Sequence, residues 1–245
     1  MITPQSTLRS IALAQPATIR VFEHYNLDYC CGGNRPLAQV CAEKNLALDD
    51  VLAALTASTT APASSIDPTI LTPTQLIHHI VSTHHAYVRA ELPRLIPMAE
   101  RVGAKHGASS PELAALEPQL NQLSDELIFH LNKEERILFP YIESLDAFTS
   151  GQGPAPHSCF ATVESPIQAM IHEHEAAGAL LAQMRAATNN FTPPPGACPT
   201  LVGLMDGIDA FERDLHRHVH LENNLLFPKA IELEKAATAA PVPAA

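Results

Sequence analysis

Two segments of this chain carry the same pattern of metal-capable side chains. Residues 130–140 run His-Leu-Asn-Lys-Glu-Glu-Arg-Ile-Leu-Phe-Pro, and residues 218–228 run His-Val-His-Leu-Glu-Asn-Asn-Leu-Leu-Phe-Pro. His130 and Glu134 therefore stand in the same register as His218 and Glu222. On an α-helix, residues four apart lie about 6 Å along the axis and about 40° around it, so each His–Glu pair shares a face. That face is otherwise apolar. Leu120, Leu123 and Leu127 lead to His130, and Leu204, Ile208, Phe211 and Leu215 lead to His218. A carboxylate on such a stripe is costly unless something pairs with it. One copy would fit a glutamate bonding its own histidine, whereas two copies in one register favour a shared cation. Imidazole with carboxylate and no thiolate suits iron or manganese better than structural zinc.

Two further helices complete the set. One begins at Thr72-Pro73 with a stripe through Ile77, Val81, His85, Val88 and Leu92. His84 lies on the neighbouring ladder with Leu76 and Ile80, so spacing leaves both histidines open. The other carries Ile167, Met170, Ile171, His174, Gly178 and Leu181 on one face. Glu126 and Glu173 border these stripes. His78, His79, His172, His216 and His220 fall on polar sides and are expected to be solvated. Four long helices with these inward residues predict an all-α, up-down-up-down four-helix bundle. Its set of His85, His130, Glu134, His174, His218 and Glu222 would hold two irons bridged by the two glutamates. Both would stay short of six ligands, leaving room for a bridging oxygen, a water or a diatomic gas. The Glu-x-x-His spacing of ferritin-like carboxylate sites is absent from the set.

Around the bundle the chain divides further. Residues 1–56 predict a small helical N-terminal domain, residues 57–72 a linker rich in small residues and proline, residues 73–235 the bundle, and residues 236–245 a disordered tail. Pro93 and Pro97 predict a kink in the first bundle helix. Within the N-terminal domain, Asp28-Tyr29-Cys30-Cys31-Gly32-Gly33 predicts a tight turn. A disulfide between adjacent cysteines is strained, because their Cα atoms are only about 3.8 Å apart. Cys30 and Cys31 are either small residues filling the turn or a thiol pair for iron, sulfur, nitric oxide or another molecule.

Composition narrows the function class. Twenty-six acidic against 15 basic residues give a net charge of -11, which excludes nucleic acid and anionic membrane as main partners. No apolar run approaches the roughly 18 residues of a membrane span, and no secretory leader is recognisable. Five irregularly spaced cysteines do not make a disulfide framework. A reducing cytoplasm is the expected location.

The Cys-Cys-Gly-Gly turn, the two repeats and Thr192-Pro193-Pro194-Pro195 together resemble the repair-of-iron-centres family, over nearly the whole chain. That resemblance implies an N-terminal ScdA-type domain and a haemerythrin-like bundle with two non-haem irons, carboxylate-bridged and joined by an oxo or hydroxo bridge. It assigns the irons to His85, His130, Glu134, His174, His218 and Glu222, and associates Glu126 and Glu173 with a channel to the metals. Expected partners are iron-sulfur proteins damaged by nitrosative or oxidative stress, with nitric oxide or oxygen species as small ligands. The implied function is cluster repair, by supplying iron. Nitric oxide reduction, or nitric oxide or oxygen sensing, stands as the alternative, and whether the chain is an enzyme stays open. So does the oligomeric state, a homodimer included.

Overall fold

A computed structural model describes residues 2–58 and 67–239. The N-terminal domain is built from α1 (Leu8–Ala14), α2 (Ile19–His24), α3 (Leu37–Glu43) and α4 (Leu48–Ser58). Thr7 caps α1 by accepting from the Ser10 amide at 3.1 Å. Leu8, Phe22, Leu37, Val51 and Leu55 close a core separate from that of the bundle.

The first bundle helix is α5 (Pro73–Ile80), a wide π turn (Val81–His85) and α6 (Ala86–His106). Thr72 and Gln75 cap its start reciprocally, and Pro73 sits where its missing N–H costs nothing. The helix runs on through Pro93 and Pro97, where a kink was expected. A short helix, α7 (Pro111–Ala114), leads into the second bundle helix: α8 (Leu116–Lys133), a π turn (Glu134–Leu138) and α9 (Phe139–Thr149). The third is α10 (Glu164–Ala187). The fourth is α11 (Pro199–Leu221), a π turn (Glu222–Leu226) and α12 (Phe227–Ala239). α6 packs on α8 and α11, α10 on α8, and α12 on α9, which is the up-down-up-down arrangement. Among the described residues there is no β-strand, only an isolated bridge between Thr7 and Pro36.

The π turns account for the Leu-Phe-Pro endings of the two repeats. Phe139 donates its N–H to Glu134 O and Phe227 to Glu222 O, each five residues back. The next residue in each case is proline, which has no N–H and crowds the carbonyl four residues before it. A turn widened by one residue opens that carbonyl, and such turns gather at functional positions. Here each π turn contains a metal-capable side chain: His85, Glu134 or Glu222.

The tail expectation needs correction. α12 continues through 236–239, where three alanines favour helix; residues 240–245 lie outside the described residues. Of the expected linker, 59–66 also lie outside them. Residues 57 and 58 end α4, and Pro68–Ile70 form a 3-10 turn capped by Asp67.

The bundle core splits into two apolar slabs. One runs from Val88, Leu92 and Leu120 to Leu204 and Phe211, the other from Leu76 and Ile80 to Phe139, Ile167 and Phe227. The polar centre lies between them.

Candidate metal centre

All six predicted side chains converge there. His85, His130, His174 and His218 are at most 2 % exposed, and Glu134 and Glu222 are fully buried. They form two overlapping groups: His85, Glu134, His218 and Glu222, and His130, Glu134, His174 and Glu222. Within each group the ligand atoms lie within 4.8 Å of one another. Both glutamates belong to both groups.

Hydrogen-bond polarity shows why a cation fits. His130 Nδ1 donates to Glu173 at 2.7 Å, and His174 Nδ1 donates to Asn223 Oδ1 at 3.0 Å. A neutral imidazole that donates from Nδ1 presents a lone pair at Nε2. The two Nε2 atoms nevertheless face each other at 3.0 Å. Two acceptors at that separation repel unless a positive charge lies between them. His85, whose Nδ1 donates to Glu135 at 2.8 Å, aims its Nε2 at His218 Nε2, 3.1 Å away, and that nitrogen also bonds Glu222.

The carboxylates say the same. Only Glu222 bonds the histidine of its own repeat, at 2.9 Å from His218 Nε2. Glu134 stands 3.4 Å from His130, and neither of its oxygens has a hydrogen-bond partner. Burial, followed by the neighbouring Glu222 charge, pushes the Glu134 carboxyl well above the usual range. Burial also works against ionisation of Glu222, but His218, His174 and His85 outweigh it and hold that carboxyl well below the usual range. The two buried carboxyls are thus pushed in opposite directions. The residues fit a metal better than isolated His–Glu pairs do.

Outer contacts fix three of the four imidazoles, those of His85, His130 and His174. Lys133 pairs with Glu173, and Arg89 with Glu135 at 3.0 Å, so each anchoring carboxylate is itself held by a cation. Glu173 therefore lies behind His130 as an orienting residue. Glu126 is exposed and accepts from Gln122 at 2.9 Å; it is not brought to the six residues. Of His84 and His85, it is His85 that falls in one of the two groups. His84 is buried but bonds Asp214 at 2.9 Å.

The thiol turn wraps around Asp28, whose Oδ1 accepts from the Cys30 and Cys31 amides and Oδ2 from Gly32. A Cβ at Gly33 would stand 2.5 Å from the Tyr29 carbonyl, so only glycine fits. Cys30 and Cys31 Sγ are 4.0 Å apart. The bond to Cys31, then burial and Asp28, push the Cys30 thiol well up and keep it protonated. A cavity of about 400 Å³ runs between Cys30, Cys31 and Lys44 on one side and His174, Gly178 and Val219 on the other. The two domains thus enclose one space that reaches His174, one of the six converging residues.

Periodicity missed the groups that join the domains. His220, expected on the solvent side, is 3 % exposed and covered by Tyr29, whose ring centre is 5.4 Å away. Burial lowers its pKa to about 4. Asn224 donates to the Tyr29 carbonyl at 3.2 Å, and Arg217 grips Glu23 at 2.6 and 2.7 Å. A helix face covered by a second domain carries polar residues and resembles a solvated one in sequence.

A helical bundle that turns four imidazoles and two carboxylates onto one buried centre is the mark of a haemerythrin-like cation-binding protein. The hemerythrin HHE cation binding domain family matches residues 76–230, and the chain belongs to it. The ScdA_N domain family, of unknown function, matches residues 4–59. Relatives matching both parts include the iron-sulfur cluster repair protein YtfE of Yersinia pseudotuberculosis and that of Yersinia pestis. Each is 39 % identical over 228 residues, covering 93 % of this chain and 97 % of the relative.

Proposed function

We propose that this protein repairs damaged iron-sulfur clusters by holding two non-haem irons at the bundle centre and giving up iron to the client. The observation that carries the reading is the pair of overlapping groups, two histidines each, sharing Glu134 and Glu222. With two imidazoles and two shared carboxylates per ion, the protein fills four positions of a six-coordinate iron, which suits exchange better than sealed storage. The name of the relatives supports the client class. Bound iron would supply a redox-active cation for release or for binding a small molecule. Glu173, Glu135 and Asn223 orient the imidazoles. Asp28 and the glycines shape the thiol turn at the cavity, and Cys30 and Cys31 assist transfer or take up a nitric oxide adduct. No helix among the described residues is long and apolar enough to cross a membrane. The free thiols suit a reducing cytoplasm.

The test is anaerobic incubation of iron-loaded protein with a nitric-oxide-inactivated iron-sulfur enzyme. Restored client activity with matching loss of iron from this protein is expected; neither change would overturn the reading.

One observation favours the reaction of nitric oxide at the same centre. The cavity wall reaching His174 is largely apolar, with Gly178, Ala179, Ala182, Leu215 and Val219 beside Glu175, Arg185, Glu212 and His216, and suits an uncharged diatomic. Sustained nitrous oxide production with an electron donor would establish that reading over iron supply.

A further inference from the structure

The four metal-facing histidines are not held alike. The bundle repeats itself: its second and fourth helices each bring a His-x-x-x-Glu, and its first and third each bring one histidine. The residue after each shared glutamate, Glu135 or Asn223, accepts from Nδ1 of a histidine on a neighbouring helix, His85 or His174. The residue before His174 is Glu173, which accepts from His130 Nδ1. Its counterpart before His85 is His84, and there the correspondence breaks. His84 gives its Nδ1 to Asp214 and lays its ring parallel to that of His218, 5.7 Å away at 5°. His218 Nδ1 is left buried without a hydrogen-bond partner among the described residues.

The consequence is chemical. His85, His130 and His174 each donate from Nδ1 to a fixed acceptor, so their Nε2 lone pairs are set for a metal. His218 instead has its Nε2 on Glu222, and no acceptor steadies a proton on its Nδ1. To ligate through Nε2 it must carry the proton on that unpaired atom. An outer partner of a ligating histidine is worth about 10- to 100-fold in metal affinity.

Resting on the di-iron reading above, we propose that the two metal positions are unequal, and that the ion between His85 and His218 is the weaker-held and the first to leave. The ion between His130 and His174, on the side of the thiol cavity, is the retained one. His84 is the positioning residue responsible. On its side lies a second cavity, of about 360 Å³, lined by His79, Thr83, His84 and Asp214.

The test is anaerobic release of iron(II) from loaded protein to a ferrous chelator. Two phases of equal amplitude, differing by about 10- to 100-fold in rate, are expected. Asn223→Ala should accelerate the slow phase until the two merge. Glu135→Gln should accelerate the fast phase and widen the gap. His84→Gln, which offers an acceptor to His218 Nδ1, should slow the fast phase. Circular dichroism checks that each variant folds, and the wild-type phases decide the matter if one does not. A single phase in wild type, or acceleration of the fast phase by Asn223→Ala, would overturn the inequality while leaving the di-iron reading intact. Uptake of fewer than two ions per chain would sink that reading itself.

Discussion

Asn224 donates a hydrogen bond to the carbonyl of Tyr29, 195 residues earlier in the chain, and it does so two residues after Glu222. The turn that presents a shared carboxylate therefore also grips the strand of chain leading into Cys30. Arg9 adds a contact from the N-terminal domain to the Asn224 carbonyl at 3.4 Å.

If that grip seats the thiol turn, removing it should expose the thiols. Asn224→Ala deletes a buried donor, and a lost buried hydrogen bond costs about 1–3 kcal/mol. The rate at which a bulky thiol reagent modifies Cys30 and Cys31 should rise by roughly 5-fold or more. An unchanged rate would mean that other contacts hold the domain in place.

Metal loading should stabilise the bundle through Glu134. An ion present at 100 times its dissociation constant adds about 2.7 kcal/mol. The melting temperature of metal-free wild-type protein should rise on adding iron(II) anaerobically, and Glu134→Gln should lose most of that rise. Without metal the variant should melt close to wild type, since neither Glu134 oxygen has a hydrogen-bond partner to lose. Equal metal-dependent rises in the two proteins would remove Glu134 from the ligand set.

Gly33→Ala should damage the thiol turn selectively. Its new Cβ meets the Tyr29 carbonyl at 2.5 Å, and overpacking of this kind costs about 1–3 kcal/mol. Bound iron in the bundle should be retained while the N-terminal domain becomes more sensitive to protease. Loss of iron together with the turn would show the two to be inseparable.

Tyr141 offers a check on alkaline stability. Its hydroxyl donates to Glu234 at 2.8 Å, and burial, followed by that carboxylate, raises its pKa to about 12. A raised pKa contributes stability that is present below the unfolded value near 10 and is lost as pH climbs towards 12. Tyr141→Phe should therefore be less stable than wild type at pH 8, with the difference shrinking between pH 10 and 12. A constant difference across that range would contradict the assignment.

The six converging residues were legible because burial of charge on an apolar stripe is a strong signal, and the stripe repeats. The decision between His84 and His85 was not legible. Periodicity assumes 100° per residue, and the wide turn at Val81–His85 breaks that step just where the two histidines lie. His220 was misplaced for a different reason: what covers it is Tyr29, from a domain far away in sequence. The anchoring roles of Glu135 and Asn223 also escaped, although each directly follows a shared glutamate and that position in the repeats could have flagged them. Glu173 stood out beside the stripe and accepts from His130 Nδ1. Glu126 bordered its stripe in the same way and faces solvent.

The division of the bundle core into two slabs has a mechanical meaning. Oil-like packing ties the helices firmly above and below, but at mid-height they are joined by close-set rings and carboxylates, with both Glu134 oxygens left unpaired. Stripped of metal, the molecule is weakest at its waist, and amide protons there should exchange with solvent ahead of those at either end.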